Sequence, residues 1–177
     1  MMSNQPELER SEKGRADMIN KLYTILSNDE HLLRLLHYPH KKNGLYVDAL
    51  NRADYPDDIV GSRNQHRIAR DHILKVAKKD DIVSVKDCFV LISLGKRKPI
   101  FHNHLLVNQE ILIDVVVHNE YQDEDYRLDD ICDRLDYLVV RERIGMGKTD
   151  IVTSLPFEAP TGYYRYQMKY QVKDNKK

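Results

Sequence analysis

Apolar and polar positions alternate most regularly near the C-terminal end of the chain. Tyr164, Tyr166, Met168, Tyr170 and Val172 interleave with Arg165, Gln167, Lys169 and Gln171. A period of two predicts a β-strand with one face on a core and the other in water. Residues 151–157 read as the strand before it, with Pro160-Thr161-Gly162 as the turn between them. Upstream the period changes: Leu128, Ile131, Cys132, Leu135, Leu138 and Val139 form one stripe of an amphipathic helix. Gly145 and Gly147 are expected to end that helix. Residues 111–118, dense in β-branched side chains that suit a pleated surface, predict a further strand, which the charged run 121–126 interrupts.

The first half of the chain is patterned as helix and connection. Residues 1–14 are polar, mixed in charge and too poor in apolar groups to offset the entropy of ordering, so they read as an N-terminal arm. Residues 15–40 hold two predicted helices. Met18, Ile19, Leu22, Ile25 and Leu26 make the stripe of the first, while Ser27 with Glu30 has the capping-box spacing that opens the second. Leu32, Leu33, Leu35 and Leu36 fill the second helix, and Pro39 stops it. Residues 41–61 form a long connection with Asn43-Gly44, Pro56 and an apolar patch at 45–50. A third helix is predicted over 62–76, a strand over 82–94, and a basic turn at Gly95-Lys96-Arg97-Lys98-Pro99 that leads into 101–107. The expected fold class is α+β: an antiparallel sheet flanked by helices, with a helical N-terminal extension, a core over 41–172 and a charged tail at 173–177.

Charge narrows the picture without naming a partner. The 28 Lys and Arg balance the 28 Asp and Glu, so no global field draws the chain to nucleic acid or an anionic membrane, and any such contact is local. No apolar run is long enough to span a bilayer, and the first residues are polar where a signal peptide would be apolar, so a soluble protein made in the cytoplasm with no membrane partner is expected. Cys88 and Cys132 lie far apart, one in a strand pattern and one on a helix stripe, and are expected as buried free thiols.

Motifs for catalysis are weak. Gly147-Lys148-Thr149 spells the end of a phosphate-binding loop, but Glu142 stands where that loop needs a glycine, and a helix precedes it rather than a strand. His102-Asn103-His104 copies the letters of a nuclease motif, yet neighbours in a strand point to opposite faces. His66, His72, His102, His104 and His118 show no ligand spacing. The carboxylates Asp123, Glu124, Asp125, Asp129, Asp130, Asp133 and Asp136 are dense enough to suggest magnesium for phosphoryl chemistry. Their helical setting, with Asp130 four residues before Arg134, also suits a solvated acidic face. No catalytic, cofactor-binding or metal-binding residue is assigned. Asp123, Glu124, Asp125, Asp129 and Asp133 are a candidate acidic interface, and Lys96, Arg97 and Lys98 a candidate contact to DNA or to another subunit.

Several segments together resemble a known family. They are Leu32-Leu-Arg-Leu-Leu36 with Tyr38-Pro39; Ile92-Ser-Leu-Gly95 before the basic residues; Gln109 ahead of Ile113-Asp-Val-Val-Val-His118; Arg127-Leu-x-x-Ile-x-Asp-Arg134; Ile144-Gly-x-Gly-Lys148; and Ala159-Pro-x-Gly-Tyr-x-x-Tyr166. This set is similar to small neck and tail-completion proteins of tailed bacteriophages of Gram-positive hosts, and most of all to tail terminators. The resemblance implies an antiparallel sheet flanked by helices and a homo-oligomeric ring, expected as a hexamer. Such a ring caps the tail tube and meets the head-completion or neck protein. It also implies double-stranded DNA passing through the channel without sequence recognition, no cofactor and no catalysis, and a place in the virion after assembly in the host cytoplasm. A head-closure or neck adaptor is the alternative within that class. A small metal-dependent nuclease using the acids of residues 123–136 is the alternative outside it. A repressor-like module is disfavoured by the lack of a basic recognition helix.

Overall fold

The computed structural model describes residues 6–76, 86–101, 103–145 and 147–175, with side chains for 14–76, 86–101, 105–145 and 147–173. Helix α1 (Pro6–Ser27) is followed by α2 (Glu30–His37), a two-residue hairpin β1 (Lys41–Lys42) and β2 (Leu45–Tyr46), then α3 (Gln65–His72) and β3 (Ile73–Leu74). The long strands β4 (Cys88–Ile100) and β5 (Asn103–His118) come next, then α4 (Asn119–Asp125), α5 (Arg127–Val139), β6 (Asp150–Pro156) and β7 (Tyr163–Asn175). The fold is α+β.

The main sheet runs in the order β3-β4-β5-β7-β6. Among the described residues only the β3–β4 pair is parallel; the other pairs are antiparallel. Register explains which face is covered. Val90 stands opposite Val115 and Ile92 opposite Ile113, while Ile113 meets Met168 and Ile111 meets Tyr170, so these side chains share one face. They form the main core with Leu22 and Leu26 of α1, the leucines of α2, Ile68 of α3, and Ile131, Leu135 and Val139 of α5. On the opposite face Phe89, Leu91, Val116 and Tyr163 make a smaller cluster with Leu74 and Ala159. Beside it Asp114, only 2% exposed, is held by Arg165 at 3.1 Å and Gln167 at 2.9 Å.

The strand period of β7 and the helical stripe of α5 match the sequence expectations; other elements differ for identifiable reasons. Residues 6–14, expected as arm, carry helical backbone continuous with α1, while residues 1–5 lie outside the described residues. The cap of α2 is Asp29, whose carboxylate accepts the Leu32 N–H at 2.8 Å; Ser27 instead ends α1, its hydroxyl donating to the Thr24 carbonyl. Glu30 turns away from any capping box and accepts the N–H groups of Ile59 and Val60 at 2.9 and 2.7 Å. The third helix is shorter than expected, because the chain enters β3 at Ile73. Residues 82–85 of the expected strand are outside the described residues, and the charged run at 121–126 forms most of α4.

The expected turn at Gly95 to Pro99 is strand. β4 continues through it to Ile100, with a register shift between Leu94 and Arg97. The shift is a bulge. Gln109, fully buried, donates to the Gly95 carbonyl at 3.1 Å, and the Glu110 carboxylate accepts the Lys96 N–H at 3.1 Å. The residues after α5 also differ: the helix stops at Val139, and Gly145 lies against β7, where an added Cβ would sit 3.0 Å from the Lys173 carbonyl oxygen.

Candidate functional site

The acids of α4 and α5 are distributed among separate partners. Asp123 accepts the Tyr164 hydroxyl at 3.1 Å, and Glu124 lies 2.5 Å from Lys41 Nζ and 3.2 Å from His40 Nε2. Asp125 takes the Tyr46 hydroxyl and the guanidinium of Arg127. Asp129 accepts from the Gln122 carboxamide at 2.8 Å, and Asp136 from the Tyr170 hydroxyl at 2.8 Å. Asp133 and Asp130 face solvent on α5. Among the described residues no group of three His, Cys, Asp or Glu is placed to hold a metal ion. The candidate acidic interface is therefore divided in two: Asp123, Glu124 and Asp125 are tied into the fold, while Asp129 and Asp133 border a groove between α5 and β6.

That groove, about 200 Å³, is lined by Asp129, Asp133, Asp136, Cys132, Ser154 and Tyr166 among others. Burial, and then the charges of Asp129, Asp136 and Asp133, push the Cys132 thiol up to about 12. It stays protonated at neutral pH and is a poor nucleophile. Cys88, fully buried, is raised further by burial, so neither free thiol offers a reactive thiolate. The phosphate-loop letters fail on geometry, because the Thr149 hydroxyl donates to the Glu142 carbonyl at 3.0 Å and the Thr149 N–H to the same oxygen at 2.8 Å. His72 Nδ1 sits 3.0 Å from the Cys88 carbonyl oxygen, and His118 caps α4; His102 is outside the described residues, as is the side chain of His104.

Lys96, Arg97 and Lys98 lie in the distal half of β4, with Lys96 and Lys98 exposed. The same hairpin presents Phe101, 86% exposed, and Leu105, 76% exposed. At the other border of the sheet Ile151, Val152, Leu155 and Phe157 are each 41–49% exposed along and just beyond edge strand β6. Among the described residues no strand pairs with the outer side of β6, and apolar side chains concentrated along such an edge are unusual on an isolated monomer.

Two buried arginines went unassigned in the sequence. Arg34, 2% exposed, donates to the carbonyls of Ala49, Asp57 and Tyr55 and pairs with Glu30, and so fixes the 41–61 connection. Arg127, fully buried, donates to the Leu35 and Tyr38 carbonyls at 2.6 and 2.9 Å and pairs with Asp125. Arg34 had a signal, an arginine inside the otherwise apolar run Leu32 to Leu36, which implies a buried cation with dedicated acceptors; Arg127, among acids at the start of α5, had none. Arg134 makes a third link, its Nε and Nη2 reaching the Asp29 carboxylate at 2.9 and 2.5 Å.

The YomW family model matches residues 29–172, most of the chain and all of the elements that build these surfaces except α1 and the end of β7. The chain belongs to the YomW family. A relative in Bacillus subtilis (strain 168), the SPbeta prophage-derived uncharacterized protein YomW, is 32% identical over 161 residues, covering 86% of this chain and 92% of that protein. Kinship with YomW marks this chain as a phage-derived protein. Among the described residues no helix is long and apolar enough to cross a membrane.

Proposed function

We propose that this protein is a structural component of the phage head-tail junction, a tail terminator that caps the tail tube as a homo-oligomeric ring, offers its second surface to the neck and performs no catalysis. The observation that carries an assembly role is the sheet edge at β6, where Ile151, Val152, Leu155 and Phe157 are exposed along and just beyond a strand that, among the described residues, has a neighbour on one side only. An edge of this kind is satisfied by another chain, and a contact repeated around an axis closes a ring. The prophage origin of the YomW relative and the tail-terminator-like segments support the placement in a virion. A head-closure adaptor would use the same edges at a different level of the neck. The nuclease reading has less support, because Asp123, Glu124, Asp125 and Asp129 are engaged by separate partners and, among the described residues, no three acids or histidines are placed to hold a metal ion.

The test has two parts. Purified protein is sized by sedimentation, alone and with isolated tails, and tails are measured by electron microscopy in lysates of phage with and without the gene. A ring in solution or on tails, with abnormally long tails when the gene is absent, is the expected result. Normal tails on empty, unjoined heads would indicate the adaptor. Protein that stays monomeric even with tails would remove the assignment.

A further inference from the structure

We propose that the β6 edge and the acidic groove behind it receive the basic distal half of β4 from a second copy of this chain, joining copies head to tail. The proposal rests on the ring reading above and names its contact surface. Among the described residues β6 pairs only with β7, leaving its outer edge open. At the opposite border β3 reaches only Val90 and Leu91, so among the described residues 92–100 of β4 have β5 on one side and no strand on the other. That stretch is long enough to face all seven residues of β6.

Charge selects this pairing over its alternative. Asp129, Asp133 and Asp136 line the groove between α5 and β6, Asp150 opens β6, and among the described residues none of the four has a cation within ion-pair distance. The neutral donors of Gln122 and Tyr170 orient two of them without cancelling their charge. If β6 paired with β6 about a two-fold axis, these carboxylates would be brought toward their own copies, which is repulsive. Pairing β6 with β4 sets Asp150 beside exposed Lys98, both on the sheet face away from α5, and brings Arg97, on the α5 face, toward the groove acids, with exposed Lys96 at the bulge between them. The contact then joins two different surfaces, so it repeats around an axis and closes where the rotation per copy allows. Main-chain bonds along the edge supply adhesion, and the charges fix direction and register.

The test uses the full chain in three forms besides wild type: Lys96→Glu with Lys98→Glu, Asp133→Lys with Asp150→Lys, and all four changes together. Each reversed pair is expected to weaken association at least about tenfold by sedimentation at low salt, and the fourfold variant to recover it, since attraction is restored with inverted sign. Wild-type association should weaken as salt rises. Circular dichroism melting checks that each variant is folded. If one does not fold, Lys96→Gln with Lys98→Gln and Asp133→Asn with Asp150→Asn carry the same test with a smaller loss. Wild-type rings that are indifferent to both reversals, or a folded fourfold variant that stays dissociated, would overturn this contact and leave the ring standing. Wild-type protein that is monomeric both alone and with tails would overturn both.

Discussion

Replacing Arg127 by Met keeps most of the side-chain volume and removes every donor. Three groups then lose their partner: the Leu35 and Tyr38 carbonyls and the Asp125 carboxylate, which keeps only the Tyr46 hydroxyl. A buried carbonyl left without a donor costs about 1–3 kcal/mol. Breaking a buried ion pair from one side costs about 3–5 kcal/mol, because the remaining charge is uncompensated. These contributions overlap, so about 3–5 kcal/mol is the working figure. For a domain of this size each kcal/mol moves Tm by about 2–4 °C, which gives a fall of about 6–20 °C. The assay is thermal melting by circular dichroism at neutral pH, with urea unfolding as a second measure. Asp125→Asn combined with Arg127→Met should lose less than the sum of the single changes, since the lone charge is gone. A fall under about 3 °C for Arg127→Met would show that this arginine does not hold α2 to α5, and the account of the N-terminal helices would fail with it.

Tyr170 is fully buried and donates to Asp136, so Tyr170→Ala is expected to cost about 3–5 kcal/mol and Tyr170→Phe about 1.5–3, measured by urea unfolding; a Tyr170→Phe variant as stable as wild type would mean that the hydroxyl contributes nothing. Burial alone would raise the Asp29 carboxyl, but hydrogen bonds from Arg134 and the Leu32 amide, with the Arg134 charge, hold it below its ordinary value. Its stabilisation is therefore full above the ordinary carboxylate range near pH 4 and is lost as pH falls through the lowered value, so Asp29→Asn should flatten the acid side of a stability-pH curve. Asp130, raised by burial and then by Asp125, acts in the opposite sense and is common to both proteins, so an unchanged slope would assign the acid loss elsewhere. Asp129→Asn with Asp133→Asn should leave any phosphodiesterase background unaltered; magnesium-dependent DNA cleavage by wild type that disappears in this variant would restore the nuclease reading.

What could be read in the sequence were the features that depend on near neighbours. The alternation of β7 and the stripe of α5 survive because each residue's face is set by its own backbone period. Gly95 to Pro99 was misread because glycine and proline are local turn signals, whereas the chain there is held straight by Gln109 and Glu110 from the next strand. Pro99 is tolerated since, among the described residues, β4 has no strand on its other side at that point. Asp29 displaced Ser27 as a cap for a similar reason: Arg134 and Ile59 engage Asp29 and Glu30 from far along the chain. The acids were legible as a patch, but not their division, because Lys41, Tyr46 and Tyr164 come from other elements. The exposed apolar residues of β6 and the open flank of β4 follow from strand order, which no local pattern encodes.

Arg34, Arg127 and Arg134 also differ in how far along the chain their acceptors lie, and that difference sets an order in which these contacts become possible during synthesis. Arg34 finds Ala49, Tyr55 and Asp57 within the next stretch of polypeptide, so the 41–61 connection is able to wrap α2 while the ribosome is still making the sheet. The last carbonyls of α2 wait for Arg127, and Asp29 waits for Arg134, both more than eighty residues later. Until α5 emerges, the leucine-rich face of α2 has neither its electrostatic latch nor its helical partner, and the N-terminal half is a nascent chain with exposed apolar surface. Closure of α5 over α2 waits for this part of the chain, and the core is complete only when β7 adds Met168, Tyr170 and Val172 to it. Among the described residues β6 is joined to the sheet through β7 alone, so the edge that would link one copy to the next forms only when the last strand has been added, and unfinished chains have no such edge to offer.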